Sequence, residues 1–149
     1  MQIKHVLVAT DLSHEAESRL PAVADLARMS GARVTLLHVV DTFEAIPHGS
    51  PLAPPLRQPE TPKAVEEARA RLEERRGTFG AGVDIDPQVV VAGNPAEAIT
   101  DYADANDVDL IAVTTHGRTG FRRLALGSVA EAVIRHARVP VLVLPLPKD

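Results

Sequence analysis

Five short runs of mostly aliphatic residues recur along this chain, at positions 5–10, 34–40, 83–91, 110–113 and 140–144. Most of them are apolar almost throughout and do not alternate with polar residues, as strands covered on both faces require. Strands buried on both faces belong to parallel sheets, and parallel neighbours need a crossover segment between them. The intervals contain that segment, since apolar residues recur there at helical spacing. The pattern strand, helix, strand within about forty residues reads as a right-handed βαβ unit. Five strands alternating with four helices predict an open, doubly wound parallel α/β sheet with helices on both faces.

Local signals bound these elements. Ser13 is a candidate N-cap, and Glu15 and Glu17 suit the positive end of a helix. Leu20, Val23, Ala24, Ala27 and Met29 form an apolar stripe, Pro21 is expected to bend that helix, and Ser30-Gly31 closes it. A second helix spans 63–76 with Val65, Ala68 and Leu72 on one face and charges elsewhere, which reads as a solvated surface. Pro87 places the third strand at a sheet edge or a bulge. Asn94-Pro95-Ala96-Glu97 opens a third helix, with Ala98, Ile99, Tyr102 and Ala105 as its buried stripe, and a fourth covers 129–136. Residues 42–62 carry prolines at 47, 51, 54, 55, 59 and 62, so they are expected to form an extended excursion without regular structure. Such a segment is a flexible insertion, a lid or a partner contact.

Composition narrows the class. The 149 residues suit one domain spanning 1–149, and 45% apolar content is that of an ordinary globular chain. No apolar run approaches the ~18 residues of a membrane span. The first strand begins within five residues of Met1, so no signal peptide is expected, and the absence of cysteine fits a cytoplasmic address. A net charge of −4 and 3% aromatic residues argue against nucleic acid as a partner.

In such sheets ligands bind beyond the carboxyl ends of the strands, where the strand order reverses. With the order 3-2-1-4-5, strands one and four adjoin at that point, and Asp11 faces the residues after strand four. Those residues run Thr114-Thr115-His116-Gly117-Arg118 and lead through a loop with glycine and arginine to a helix start near Ser128. Such a loop suits an anion, because glycine lets backbone amides approach and a helix start offers unbonded N–H groups. Two familiar phosphate motifs fail. A P-loop needs lysine after its second glycine, where Gly127 is followed by Ser128, and the first turn lacks the dinucleotide glycines. Asp11 either caps the first helix or meets ribose or magnesium. Arg118, Arg122 and Arg123 either meet phosphate or serve solubility. Histidines 5, 14, 38, 48, 116 and 136 show no metal spacing; His38 reads as a core residue and His116 as a ligand contact. Neither Ser13 nor Ser128 has a histidine and an acid in a nucleophile pattern, so any hydrolysis should be slow.

What remains is Gly117, nine residues, then Gly127-Ser128-Val129, accompanied by Ala9-Thr10-Asp11, Leu37-His38-Val39-Val40-Asp41 and Pro140-Val141-Leu142-Val143 in order along the chain. This resembles the nucleotide-binding signature of the universal stress protein family, Gly-x2-Gly-x9-Gly-Ser/Thr. The resemblance implies a flavodoxin-like ATP-binding domain that dimerises through its last strand. It implies that Ala9, Thr10, Asp11 and Val39 line the adenine and ribose side. Gly117, flanked by His116 and Arg118, would approach the phosphates, and Gly127, Ser128 and Val129 would hold them. The signature's first glycine falls on Thr114, a departure that bears on affinity and on the choice between ATP and AMP or ADP. The reading is a cytoplasmic, homodimeric stress-response protein binding ATP, with Mg2+ on the phosphates. Dimerisation also follows from residues 139–146, which are too apolar for an unpaired edge strand. The alternatives are a nucleotide-free dimeric interaction module of the same fold, and an enzyme related to adenylate-forming or electron-transfer domains.

Overall fold

The apolar runs become the strands of one parallel sheet in the computed structural model, which describes residues 1–42, 61–115 and 126–146. Strands β1 (His5–Ala9), β2 (Arg33–Asp41), β3 (Ile85–Ala92), β4 (Leu110–Thr114) and β5 (Val141–Leu144) lie in the order β3-β2-β1-β4-β5. Every pairing is parallel, from Val34 opposite Ile85 to Thr114 opposite Leu144. The helices are α1 (His14–Glu17), α2 (Leu20–Ser30), α3 (Thr61–Arg76), α4 (Pro95–Ala105) and α5 (Ser128–His136). A 3₁₀ turn, Gly77–Phe79, follows α3. This is the flavodoxin-like α/β arrangement.

Two cores result from the two-residue alternation of the strands. Val6, Val8, Val34, Leu36 and Ala112 point to one face and meet Leu20, Val23 and Ala27 of α2 and Ala68 and Leu72 of α3. Leu7, Leu37, Ile111 and Val113 point to the other and meet Ala96, Ile99 and Ala103 of α4 and Ala130 and Val133 of α5. The central strand is covered on both sides, which explains its continuous apolar run. Pro87 sits in β3, which among the described residues pairs only with β2 and is an edge strand, where a missing donor is tolerated.

Several local expectations are corrected. Pro21 does not bend one helix: the chain makes a separate short α1, and Pro21 opens α2 in its first turn, where its missing N–H costs nothing. Met29 lies outside the stripe and is 86% exposed. Helix α4 is rotated relative to its expected stripe: Ala96, Ile99, Thr100 and Ala103 are buried, Tyr102 and Ala98 are half-buried, and Ala105 is exposed. Helix α3 starts at Thr61, so Pro62 belongs to its first turn. The rest of the proline-rich excursion, 43–60, lies outside the described residues. Other signals hold as read. Ser13 caps α1 by accepting the Ala16 amide, Asn94 caps α4 by accepting the Glu97 amide, and Gly31 ends α2 at φ 68°. Among the described residues no helix is long and apolar enough to cross a membrane.

Candidate functional site

The carboxyl ends of β1 and β4 adjoin, with Val8 opposite Ala112 as their last registered pair. Beyond it the chain leaves β1 through Thr10-Asp11-Leu12-Ser13, a turn in which side chains replace strand partners. The Leu12 amide donates to Thr10 Oγ1 at 3.1 Å, and the Ser13 amide to Asp11 Oδ1 at 2.9 Å. The Thr10 amide still reaches Leu37 O of β2, and His38 Nδ1 donates back to Thr10 O at 2.8 Å. Leu12 takes φ 62°, a left-handed conformation rare for a residue with a side chain, while its side chain is 3% exposed in the core. Arg71 of α3 donates from Nη2 to Leu12 O at 2.6 Å.

Asp11 is therefore half used. Oδ1 braces the turn, and Oδ2 is buried with no hydrogen-bond partner among the described residues. A buried carboxylate oxygen without a partner is costly, so the position calls for a donor or a cation. Asp11 does not cap α1; Ser13 does.

On the β4 side, the Thr115 amide bonds Leu144 O at 3.1 Å and Thr115 Oγ1 accepts the Leu146 amide at 3.3 Å. The Gly127 amide donates to Thr115 O, tying the start of α5 to the end of β4. Gly127 is the N-cap and supplies no side-chain cap; the first intrahelical bond is Glu131 N to Gly127 O at 2.9 Å. The amides of Ser128, Val129 and Ala130 precede that bond, and a helix start with this geometry favours an anion. Ser128 is exposed and Val129 is 39% exposed.

Of the expected site residues, Thr10, Asp11, Thr114, Gly127, Ser128 and Val129 thus lie at one edge of the sheet. Ala9 and Val39 pack against the α4/α5 core, as does Val113. Thr114 follows Ala112 in the alternation, which assigns it to the α2/α3 side of β4. His116, Gly117 and Arg118, with Arg122 and Arg123, lie outside the described residues. His38, expected as a core residue, is half-buried and holds the Thr10 carbonyl. Arg71 gave no signal in the sequence, being 59 residues from its partner. Among the described residues no three histidine or acidic side chains gather as a metal cluster.

Comparison with known proteins agrees with this fold. The universal stress protein family matches residues 2–145. The chain is 34% identical over 149 residues to the universal stress protein MJ0531 of Methanocaldococcus jannaschii, covering 97% of this chain and 84% of that one. It is 31% identical over 153 residues to MJ0577, a universal stress protein of the same organism, covering 95% and 94%. The solved structure of MJ0577 superposes with a TM-score of 0.80 at 28% identity over the whole of both chains. A universal stress protein from Archaeoglobus fulgidus, solved in complex with dAMP, gives a TM-score of 0.65 at 26% identity, covering 96% and 98%.

Proposed function

The chain belongs to the universal stress protein family, and we propose that it binds an adenine nucleotide, ATP or its ADP and AMP relatives, at the carboxyl edge of β1 and β4. One observation carries the reading: Asp11 Oδ2 is buried without a partner among the described residues, at the point where the strand order reverses. A ribose hydroxyl or a hydrated cation supplies what that oxygen lacks. In this reading Ala9, Thr10 and Val39 line the adenine and ribose side. The amides of Ser128 and Val129 and the Ser128 hydroxyl receive the phosphates at the start of α5, with Gly127 as the cap beside them. Gly117, His116 and Arg118 complete the phosphate side. Asp11 is the carboxylate available to Mg2+, which usually takes one or two carboxylates plus phosphate oxygens and water; bound there, the ion would neutralise phosphate charge. That a family relative is solved with dAMP supports the ligand class.

The same proposal makes the protein a cytoplasmic stress-response dimer in which the nucleotide is a sensed ligand. The free edge of β5, whose four residues are all half-buried, would pair with a second copy. Titration of the purified chain with ATP and magnesium tests the binding: the expectation is saturation well below about 1 mM, and no saturable binding at that level sinks it. Sedimentation at micromolar concentration tests the dimer; a monomer there contradicts it. The nucleotide-free interaction module is favoured by Thr114, which stands where the signature has glycine. In that case the dimer persists and ATP titration is flat.

A further inference from the structure

We propose that Arg71 is a positioning residue for the Asp11 carboxylate, acting through the backbone of Leu12. The contact joins two segments far apart in sequence: Arg71 Nη2, on α3, donates to Leu12 O at 2.6 Å. Among the described residues Arg71 makes no ion pair, although Arg75 and Arg76 on the same helix do. Its guanidinium instead holds a neutral carbonyl in the one turn that carries a left-handed leucine.

The geometry explains why that carbonyl needs holding. Leu12 at φ 62° brings the Ser13 amide back onto Asp11 Oδ1. This fixes the Asp11 side chain and leaves Oδ2 as its buried oxygen, without a partner among the described residues. The conformation is unfavourable for a residue with a Cβ, and persists only where the surroundings over-determine it. On one side the buried Leu12 side chain anchors it in the α2/α3 core. On the other, Arg71 holds the carbonyl. Without Arg71, the Leu12–Ser13 peptide can rotate toward an ordinary φ. The Ser13 amide would then leave Oδ1, and the carboxylate would lose its fixed rotamer.

Arg71 is not required for docking α3. That rests on Ala68 and Leu72 in the core and on the Arg75–Glu17 ion pair with α1, one helical turn further on. The consequence for ligand affinity rests on the nucleotide reading above; the positioning itself does not.

The test uses the full chain with Arg71→Ala, Arg71→Lys and, as a docking control, Arg75→Gln. Amide hydrogen exchange is followed by NMR without nucleotide, and ATP with magnesium is titrated separately. For Arg71→Ala the Ser13 amide should exchange about tenfold faster while Val8 in β1 stays protected, and ATP should bind about tenfold more weakly. Arg71→Lys, which keeps one donor in reach, should recover part of both. Arg75→Gln should lower thermal stability and leave the Ser13 exchange and ATP affinity unchanged. Unchanged Ser13 exchange in Arg71→Ala overturns the proposal, as does equal ATP affinity in Arg71→Ala and the natural chain. If the natural chain binds no ATP, the nucleotide reading fails, and the exchange result alone decides the role of Arg71.

Discussion

His5 Nε2 lies 2.8 Å from Thr35 Oγ1, joining β1 to β2 at the end of the sheet opposite the candidate site. His5 Nδ1 lies 3.0 Å from Asn106 O, which can only accept, and 3.1 Å from Arg33 Nη2, which can only donate, so the ring is held between two contacts that favour opposite tautomers. Burial, then the Arg33 guanidinium from β2, push the His5 pKa below its ordinary 6.5, although Asn106, Asp107 and Asp109 oppose them. The unfolded chain therefore takes up this proton at a higher pH than the folded one does. Stability is full above about pH 6.5 and falls as pH drops from there toward the lower folded value. Asp109, held below 3.8 chiefly by the Lys4 amide, adds its own loss only in much stronger acid. Urea unfolding at about pH 7.5 and about pH 5.5 should show a lower midpoint in acid, and His5→Gln should flatten that difference. Equal midpoints in the natural chain would contradict the assignment.

Helix α3 is held by few apolar side chains. Ala68 and Leu72 are its buried residues, and Leu72 is fully enclosed beside Phe79. The exposed Lys63–Glu67 and Arg76–Glu73 pairs add little. Leu72→Ala should therefore cost about 3 kcal/mol, from lost transfer energy plus the cavity. Denaturant unfolding measures it; a loss under about 1 kcal/mol would mean that α3 docks by other contacts.

Much of this layout was legible because strands buried on both faces leave unbroken apolar runs, and Pro87 bars β3 from the centre of the sheet. The helical stripes are less legible. Met29 and Ala105 fall at the ends of α2 and α4, where a small error of phase moves a residue from core to solvent. Asp11, Gly127 and Ser128 were legible as candidates because strand order and motif spacing pointed to the same edge. Leu12 and Arg71 were not, because a leucine carries no mark of a left-handed φ and a surface arginine carries no mark of the carbonyl it holds. Contacts of that kind come from tertiary structure alone.

Asp11→Asn separates the two oxygens of the carboxylate. The amide oxygen can still accept from Ser13, so the turn should survive with stability changed by under about 1 kcal/mol. The second oxygen becomes a neutral donor, which repels a ribose hydroxyl's proton or a cation. Nucleotide affinity should fall about 10- to 100-fold, the worth of a hydrogen bond to a charged group. Isothermal titration beside the natural chain checks this, and equal affinity would remove Asp11 from the site.

Gly127→Ala asks why a glycine stands at the head of α5. Its backbone, at φ −60° and ψ 152°, is open to any residue, so the turn itself does not demand glycine. Alanine there should cost about 1 kcal/mol, because alanine is a poorer N-cap than glycine, and the fold should tolerate that loss. If phosphate oxygens sit against the amides of Ser128 and Val129, the added methyl crowds their approach, and affinity should drop at least about tenfold. Thermal unfolding and ATP titration on the same sample distinguish the cases. A stable variant with lost binding assigns the glycine to the ligand. A stable variant with full affinity leaves Gly127 as a plain helix start and moves the phosphate site away from α5.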